Sequence, residues 1–85
     1  MFFVYILQSK KDKQLYIGYS SNLFRRYKEH NLGLVESTKP RKPFNLVYYE
    51  SYASKQDAVK REQNLKLRAK ALQQLKKRIK NCFEE

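Results

Sequence analysis

The sequence predicts an α+β domain whose elements run β-β-α-β-α-α. Three observations carry this. Two β-branched and aromatic runs near the N-terminus are separated by a short polar turn, a third such run lies in mid-chain, and glycine-free stretches with helical periodicity come after the second and third runs. At 85 residues the chain has room for one domain, spanning 1–85, with a small core.

Residues Phe2 to Gln8 are nearly all β-branched or aromatic, SKKDKQ supplies turn formers, and LYIGY returns to strand composition, so the first elements form a hairpin. Ser21 or Asn22 then offers an N-cap for LFRRYKEH, about two turns of helix. Asn31 to Pro43 holds Gly33, Pro40 and Pro43 among Lys39, Arg41 and Lys42, and is expected to be a basic surface loop. FNLVYYESY reads as the third strand, and Ser54 with Asp57 is a weak capping box for the next helix. From Lys55 to about Asn81 the composition is helical, with a bend expected at Leu67–Ala69. Leu72, Leu75 and Ile79 form an apolar stripe on the basic second half.

Hydrophobic residues make up 41 % of the chain, with Tyr 7 and Phe 5, which excludes a disordered tail. Lys+Arg 19 against Asp+Glu 8 gives a net charge of +11, a balance that draws polyanions and makes nucleic acid the leading partner. The single Cys82 has no disulfide partner within the chain and belongs to no metal-binding cysteine pattern, which suits a reducing, cytoplasmic setting. FFVYIL is too short for a membrane span and lacks a charged segment before it, so neither a membrane anchor nor a signal peptide is expected.

Several polar residues stand where apolar ones belong. The inward stripe of LFRRYKEH falls on Leu23, Arg26, Tyr27 and His30, leaving Arg25, Lys28 and Glu29 for the solvated side. Glu62 shares a helix face with Ala58, Val59, Leu65 and Ala69, and is the sole carboxylate between Ala58 and Phe83. A carboxylate on a buried face needs a partner or a cation. An Arg26–Glu62 ion pair or a Glu62–Lys66 helix pair satisfies that need as well as a metal does. In the hairpin Tyr16 and Gly18 share one face, where bare backbone permits a close approach, and an even-numbered turn places Tyr5 there too. Amphipathic tyrosines in a core and a glycine bulge account for the same pattern.

Taken together, these residues resemble the GIY-YIG nuclease family, and within it the small single-domain bacterial YhbQ-like (UPF0213) branch. The resemblance rests on Phe3-Val4-Tyr5 in "FVYIL", Tyr16-Ile17-Gly18, "NLFRRYKEH" with Arg26 and His30, "KPFNLVYYE", and "AVKREQNLK" with Glu62, in family order along almost the whole chain. It implies a three-stranded antiparallel sheet flanked by helices and a site in which Glu62 binds one divalent metal, Mg2+ or Mn2+. It further implies that Tyr16 acts near the attacking water and Arg26 contacts the scissile phosphate, with Tyr5 and His30 completing the polar cluster beside Gly18. Phe3 stands where the family name has its first glycine. The His30 position is tyrosine in some relatives, which leaves its role open between base, orienter and phosphate ligand. A downstream polar residue near the metal has two candidate counterparts, Asn64 and Gln74.

The function expected on that resemblance is metal-dependent hydrolysis of phosphodiesters in DNA, single-stranded or branched, in repair or processing. Lys39, Arg41, Lys42, Lys66, Arg68 and Lys70 are expected to hold the backbone, and the resemblance favours DNA over RNA as the partner. Two rival readings are a non-catalytic nucleic-acid-binding module and a catalytic subunit that needs a protein partner for targeting.

Overall fold

The structure, a computed structural model, describes residues 1–83. Its elements are β1 (Phe2–Ser9), β2 (Leu15–Ser20), α1 (Leu23–Asn31), β3 (Phe44–Tyr52), α2 (Lys55–Leu67) and α3 (Ala69–Arg78), with single 3₁₀ turns at Lys39–Arg41 and Lys80–Cys82. This is the α+β order expected from the sequence. The helical stretch breaks at Arg68, whose extended backbone separates α2 from α3. It also stops at Arg78, earlier than the expected Asn81, and a 3₁₀ turn takes over.

The strands form one antiparallel three-stranded sheet in the order β2-β1-β3. Because β1 is central and covered on both faces, its sequence is a continuous apolar and aromatic run from Phe2 to Leu7 instead of alternating. Val4, Ile6 and Ile17 turn to one face and pack with Ala58, Leu65 and Leu75 of α2 and α3. Tyr5, Leu7 and Phe44 turn to the other, beneath Leu23 and Tyr27 of α1. Pairing of Tyr5 with Gly18 and of Leu7 with Tyr16 puts both tyrosines and the glycine on the α1 face.

Asn22 caps α1 through its side-chain oxygen, which accepts from Arg25 N at 3.1 Å, so the cap is the second of the two candidates. The helix ends in a Schellman turn. Gly33 takes φ +75°, Leu34 N donates to Glu29 O and Gly33 N to His30 O, which turns the chain back under the helix. Asn31 then clamps β3, its Oδ1 accepting from Phe44 N at 2.7 Å and its Nδ2 donating to Phe44 O at 3.1 Å. Ser9 Oγ donates to Arg41 O at 2.6 Å, tying the same loop to the end of β1.

These anchors correct the expectation that residues 31–43 form a surface loop throughout. Val35 and Thr38 are buried in it, Thr38 at 0 % exposure, because the turn after α1 folds their side chains inward. Glu29 departs from expectation as well. It is half-buried rather than on the solvated side, and it accepts from Arg26 Nη1 at 3.2 Å.

Candidate active site

The site is built around Tyr5, which is 1 % exposed on the central strand. Its ring lies across Gly18 of the neighbouring strand. A Cβ at Gly18 would stand 2.8 Å from Tyr5 Cε1 and closer still to Cζ and Oη. What the bare backbone at Gly18 admits is therefore the Tyr5 phenol, so the close approach read from the sequence is filled from within the protein.

Tyr5 Oη lies 2.9 Å from His30 Nε2, and the other ring nitrogen of His30, Nδ1, lies 2.8 Å from Thr38 Oγ1. His30 is fully buried, and the Tyr16 ring packs edge-on to it with centroids 5.0 Å apart. Tyr5 and Tyr16 are 6.4 Å apart between centroids. Two of the sequence-predicted residues from the hairpin, Tyr5 and Tyr16, thus meet around the imidazole of a third, His30 of α1.

Arg26, one helical turn before His30, brings its guanidinium beside the Tyr5 hydroxyl. Burial, and then the neighbouring Tyr16, push the Tyr5 phenol up to about 12 despite that cation. Burial lowers His30 to about 4 and Arg26 adds to the effect, so the imidazole is neutral at pH 7. For Arg26 burial disfavours the charge, but hydrogen bonds with Glu29 and Tyr5 outweigh it and hold the pKa above the ordinary value.

Glu62 stands on α2, and of the groups acting on Tyr5 it is the weakest. Its charge is felt at the Tyr5 hydroxyl, adding to the rise in that pKa. Its carboxylate pairs with Lys66 Nζ at 3.3 Å, the helix pair that the i, i+4 spacing allows, whereas Arg26 pairs with Glu29 and not with Glu62. Among the described residues no three His, Cys, Asp or Glu side chains gather into a closed cation site. One carboxylate suits an open one, because Mg2+ is commonly held by one or two carboxylates, waters and substrate phosphate oxygens. The donor set present therefore fits a cation completed by substrate.

The basic residues separate into engaged and available ones. Arg41 donates from Nε to Asp12 at 2.9 Å and lies over the Phe44 ring at 5.6 Å, and Lys66 is held by Glu62. Lys39 and Lys42 are exposed on the loop. Arg68 and Lys70 line a groove at the α2–α3 elbow with Arg61, Asn64 and Arg78. It holds about 570 Å³ and shares Arg61, Asn64 and Arg68 with a neighbouring cavity of about 630 Å³ along α2. These cavities lie along the α2–α3 side, not over Tyr5 and His30. Of the two candidates for a further polar ligand, Gln74 lines the elbow groove, and Asn64 lines both cavities and accepts from Arg61 at 3.3 Å.

Two features escaped the sequence reading. Thr38 lies in a breaker-rich loop whose composition gives no inward periodicity, and no signal marks it. Glu50 is held by Arg61, with Nε and Nη2 each 3.0 Å from a carboxylate oxygen, by Tyr48 at 2.6 Å and by Tyr52. Its signal was present, since alternation along β3 places it with Tyr48 and Tyr52 on the face packed by α2.

A family model described as the GIY-YIG catalytic domain matches residues 1–80. UPF0213 proteins of Staphylococcus aureus strains Mu50 and N315 are 42 % identical to this chain over 79 residues, covering 89 % of it and 95 % of theirs. The solution NMR structure of the UPF0213 protein BH0048 from Bacillus halodurans superposes with a TM-score of 0.55 at 37 % identity, covering 88 % of this chain and 82 % of that one.

Proposed function

Since the chain belongs to the GIY-YIG catalytic-domain family, whose domain implies nuclease-type chemistry on nucleic acid, we propose that it is a divalent-metal-dependent endonuclease hydrolysing phosphodiester bonds in DNA. The observation that carries this reading is the meeting of Tyr5, Tyr16 and Arg26 about the buried His30 imidazole.

Hydrolysis places growing negative charge on the non-bridging oxygens of the phosphate. The Arg26 guanidinium is the cation beside the Tyr5 hydroxyl and is the group to receive that charge. Its pairing with Glu29 is on the same helix and half-exposed, so a phosphate displaces it at small cost. Glu62 is the residue to hold Mg2+ or Mn2+, releasing Lys66; the bound cation supplies Lewis acidity at the phosphate. Tyr16 is half-buried and is the phenol to orient an attacking water. Tyr5, held protonated by burial, works in the free protein as a fixed hydroxyl and not as a base. Gly18 is the structural residue that makes room for it.

Arg68 and Lys70 in the elbow groove, with Lys39 and Lys42, are the residues to hold the backbone; Arg41 and Lys66 are already engaged and contribute less. Phosphate contacts of this kind give salt-sensitive binding with little sequence preference. The substrate in this reading is single-stranded or branched DNA in repair or processing, in preference to RNA. A cytoplasmic, bacterial setting is part of the same reading.

The Glu62–Lys66 and Arg26–Glu29 pairs favour a second reading, in which both key charges are neutralised and the domain binds nucleic acid without turnover. Labelled single-stranded, duplex and branched DNA and RNA, incubated with Mg2+ or Mn2+ and then with chelator, decide between them. The proposal expects chelator-sensitive cleavage of DNA that falls at least about a hundredfold in Glu62→Gln and Tyr16→Phe. Glu62→Gln should stay within about 0.5 kcal/mol of the parent in stability, because its pairing is an i, i+4 contact within one helix to a half-exposed Lys66. Salt-sensitive binding without cleavage on any substrate would establish the second reading.

A further inference from the structure

We infer that Thr38 is a positioning residue that fixes His30 in the Nδ1–H tautomer, so that Nε2 accepts the Tyr5 proton and the Tyr5 oxygen lone pairs face Arg26. This rests on the nuclease reading only for its catalytic consequence. The arrangement of protons follows from counting donors and acceptors in a buried chain of contacts.

His30 is fully buried, and among the described residues its two nitrogens each meet one polar side chain, Thr38 Oγ1 at 2.8 Å and Tyr5 Oη at 2.9 Å. A neutral imidazole has one donor and one acceptor nitrogen, so the two hydroxyls are forced into opposite roles. At the Tyr5 end the group in hydrogen-bonding position besides His30 is the Arg26 guanidinium, which can only donate, while Tyr16 and Glu62 act on the hydroxyl through their charge alone. Among the described residues the acceptor that lies at hydrogen-bond distance from the Tyr5 hydroxyl is His30 Nε2. The opposite tautomer would point Nε2–H at the Tyr5 oxygen and strand the phenol proton against a cation in a site that is 1 % exposed.

The Thr38 end agrees. Its hydroxyl also faces Val35 O at 3.4 Å, so Thr38 can turn its own proton toward that carbonyl, as a long third contact beside two N–H donors, and receive Nδ1–H. The same carbonyl accepts the backbone N–H groups of Thr38 and Lys39, which fixes the turn carrying the hydroxyl. Thr38 thus reads out the Schellman turn and the 3₁₀ turn beyond it: the backbone reversal at Gly33 is what delivers a hydroxyl to the far side of the imidazole.

The functional consequence is directional. With its proton held by His30, Tyr5 presents lone pairs on the side where Arg26 stands and where the phosphate is proposed to bind. Reversing the tautomer would turn Tyr5 into an acceptor from His30 and swing its proton toward the cation, disturbing the guanidinium that a phosphate needs.

The test compares the parent protein with Thr38→Val, which keeps the shape and removes the hydroxyl, and Thr38→Ser, which restores it. Long-range ¹H–¹⁵N correlation spectra at neutral pH report which imidazole nitrogen carries the proton. In the parent and in Thr38→Ser, Nδ1 should be protonated and Nε2 bare. In Thr38→Val the spectrum should move to a mixture or to the other tautomer, with cleavage at least tenfold below Thr38→Ser at comparable melting temperature. A protonated Nε2 in the parent overturns the inference whatever the variants do, as does a folded Thr38→Val with unchanged tautomer or with cleavage equal to Thr38→Ser. Absence of cleavage by the parent overturns the nuclease reading alone, since the tautomer is read without substrate.

Discussion

Gly18→Ala separates what strand propensity expects from what the packing around Tyr5 requires. Gly18 lies inside β2 at negative φ, where replacing glycine by alanine ordinarily stabilises a protein by about 0.4–1 kcal/mol through the unfolded chain. Here the new Cβ would sit 2.8 Å from Tyr5 Cε1 and nearer to Cζ and Oη. Tyr5 cannot yield easily, being 1 % exposed, packed against Tyr16 and His30, and bonded to Nε2 at 2.9 Å. Overpacking costs about 1–3 kcal/mol and loss of the hydrogen bond about 1 kcal/mol more, which exceeds the backbone gain. The net expectation is a loss of about 2 kcal/mol, or a melting temperature lower by roughly 8–16 °C for a domain of this size. Thermal and urea unfolding followed by circular dichroism measure it. A double-mutant cycle with Tyr5→Leu should then show coupling of about 1 kcal/mol or more, because a shorter side chain relieves the contact. A Gly18→Ala protein as stable as the parent, or additivity with Tyr5→Leu, would refute the placement of the phenol over the glycine.

Acid should destabilise the protein through His30. Its folded pKa of about 4 lies below the ordinary value of 6.5, so between those pH values the unfolded chain binds the extra proton. The contribution is full above pH 6.5 and is lost as pH falls toward 4, about 3 kcal/mol in all, and His30→Gln should flatten the stability profile in that window. Glu50 adds to the acid limb. Burial alone would raise its pKa, but hydrogen bonds from Arg61, Tyr48 and Tyr52 outweigh it and hold it below the ordinary value of 4.5, so its contribution is present above that pH and disappears below. Glu50→Gln should cost about 1–3 kcal/mol in urea unfolding at pH 7 by leaving Arg61 short of its partner, while cleavage, normalised to folded protein, stays unchanged. Rising salt should weaken binding of single-stranded DNA with a log–log slope that becomes shallower in Arg68→Ala and Lys70→Ala; an unchanged slope would remove the elbow groove from the interface.

By itself the sequence determined the element order, because period-2 and period-3.6 patterns are local: FNLVYYESY is β3 to the residue, Ser54 caps α2, the cap of α1 is narrowed to Ser21 or Asn22, and the helix break to Leu67–Ala69. It also marked Arg26, His30 and Glu62 as polar residues on inward faces, since a misfit with periodicity needs no knowledge of the partner. The partners themselves were decided by tertiary structure. Arg26 has Glu29 and Tyr5 about it instead of Glu62, Glu62 has Lys66, and the close approach at Gly18 is made by Tyr5 from the neighbouring strand. Thr38 is the clearest case. Its place beside His30 depends on a left-handed glycine at 33, a 3₁₀ turn, and the Ser9 and Asn31 anchors acting together. A side chain's face within one element is set by its own backbone geometry. The groups that meet that face are set by loop closures that juxtapose residues distant along the chain, and those are fixed only when the packed core fixes them.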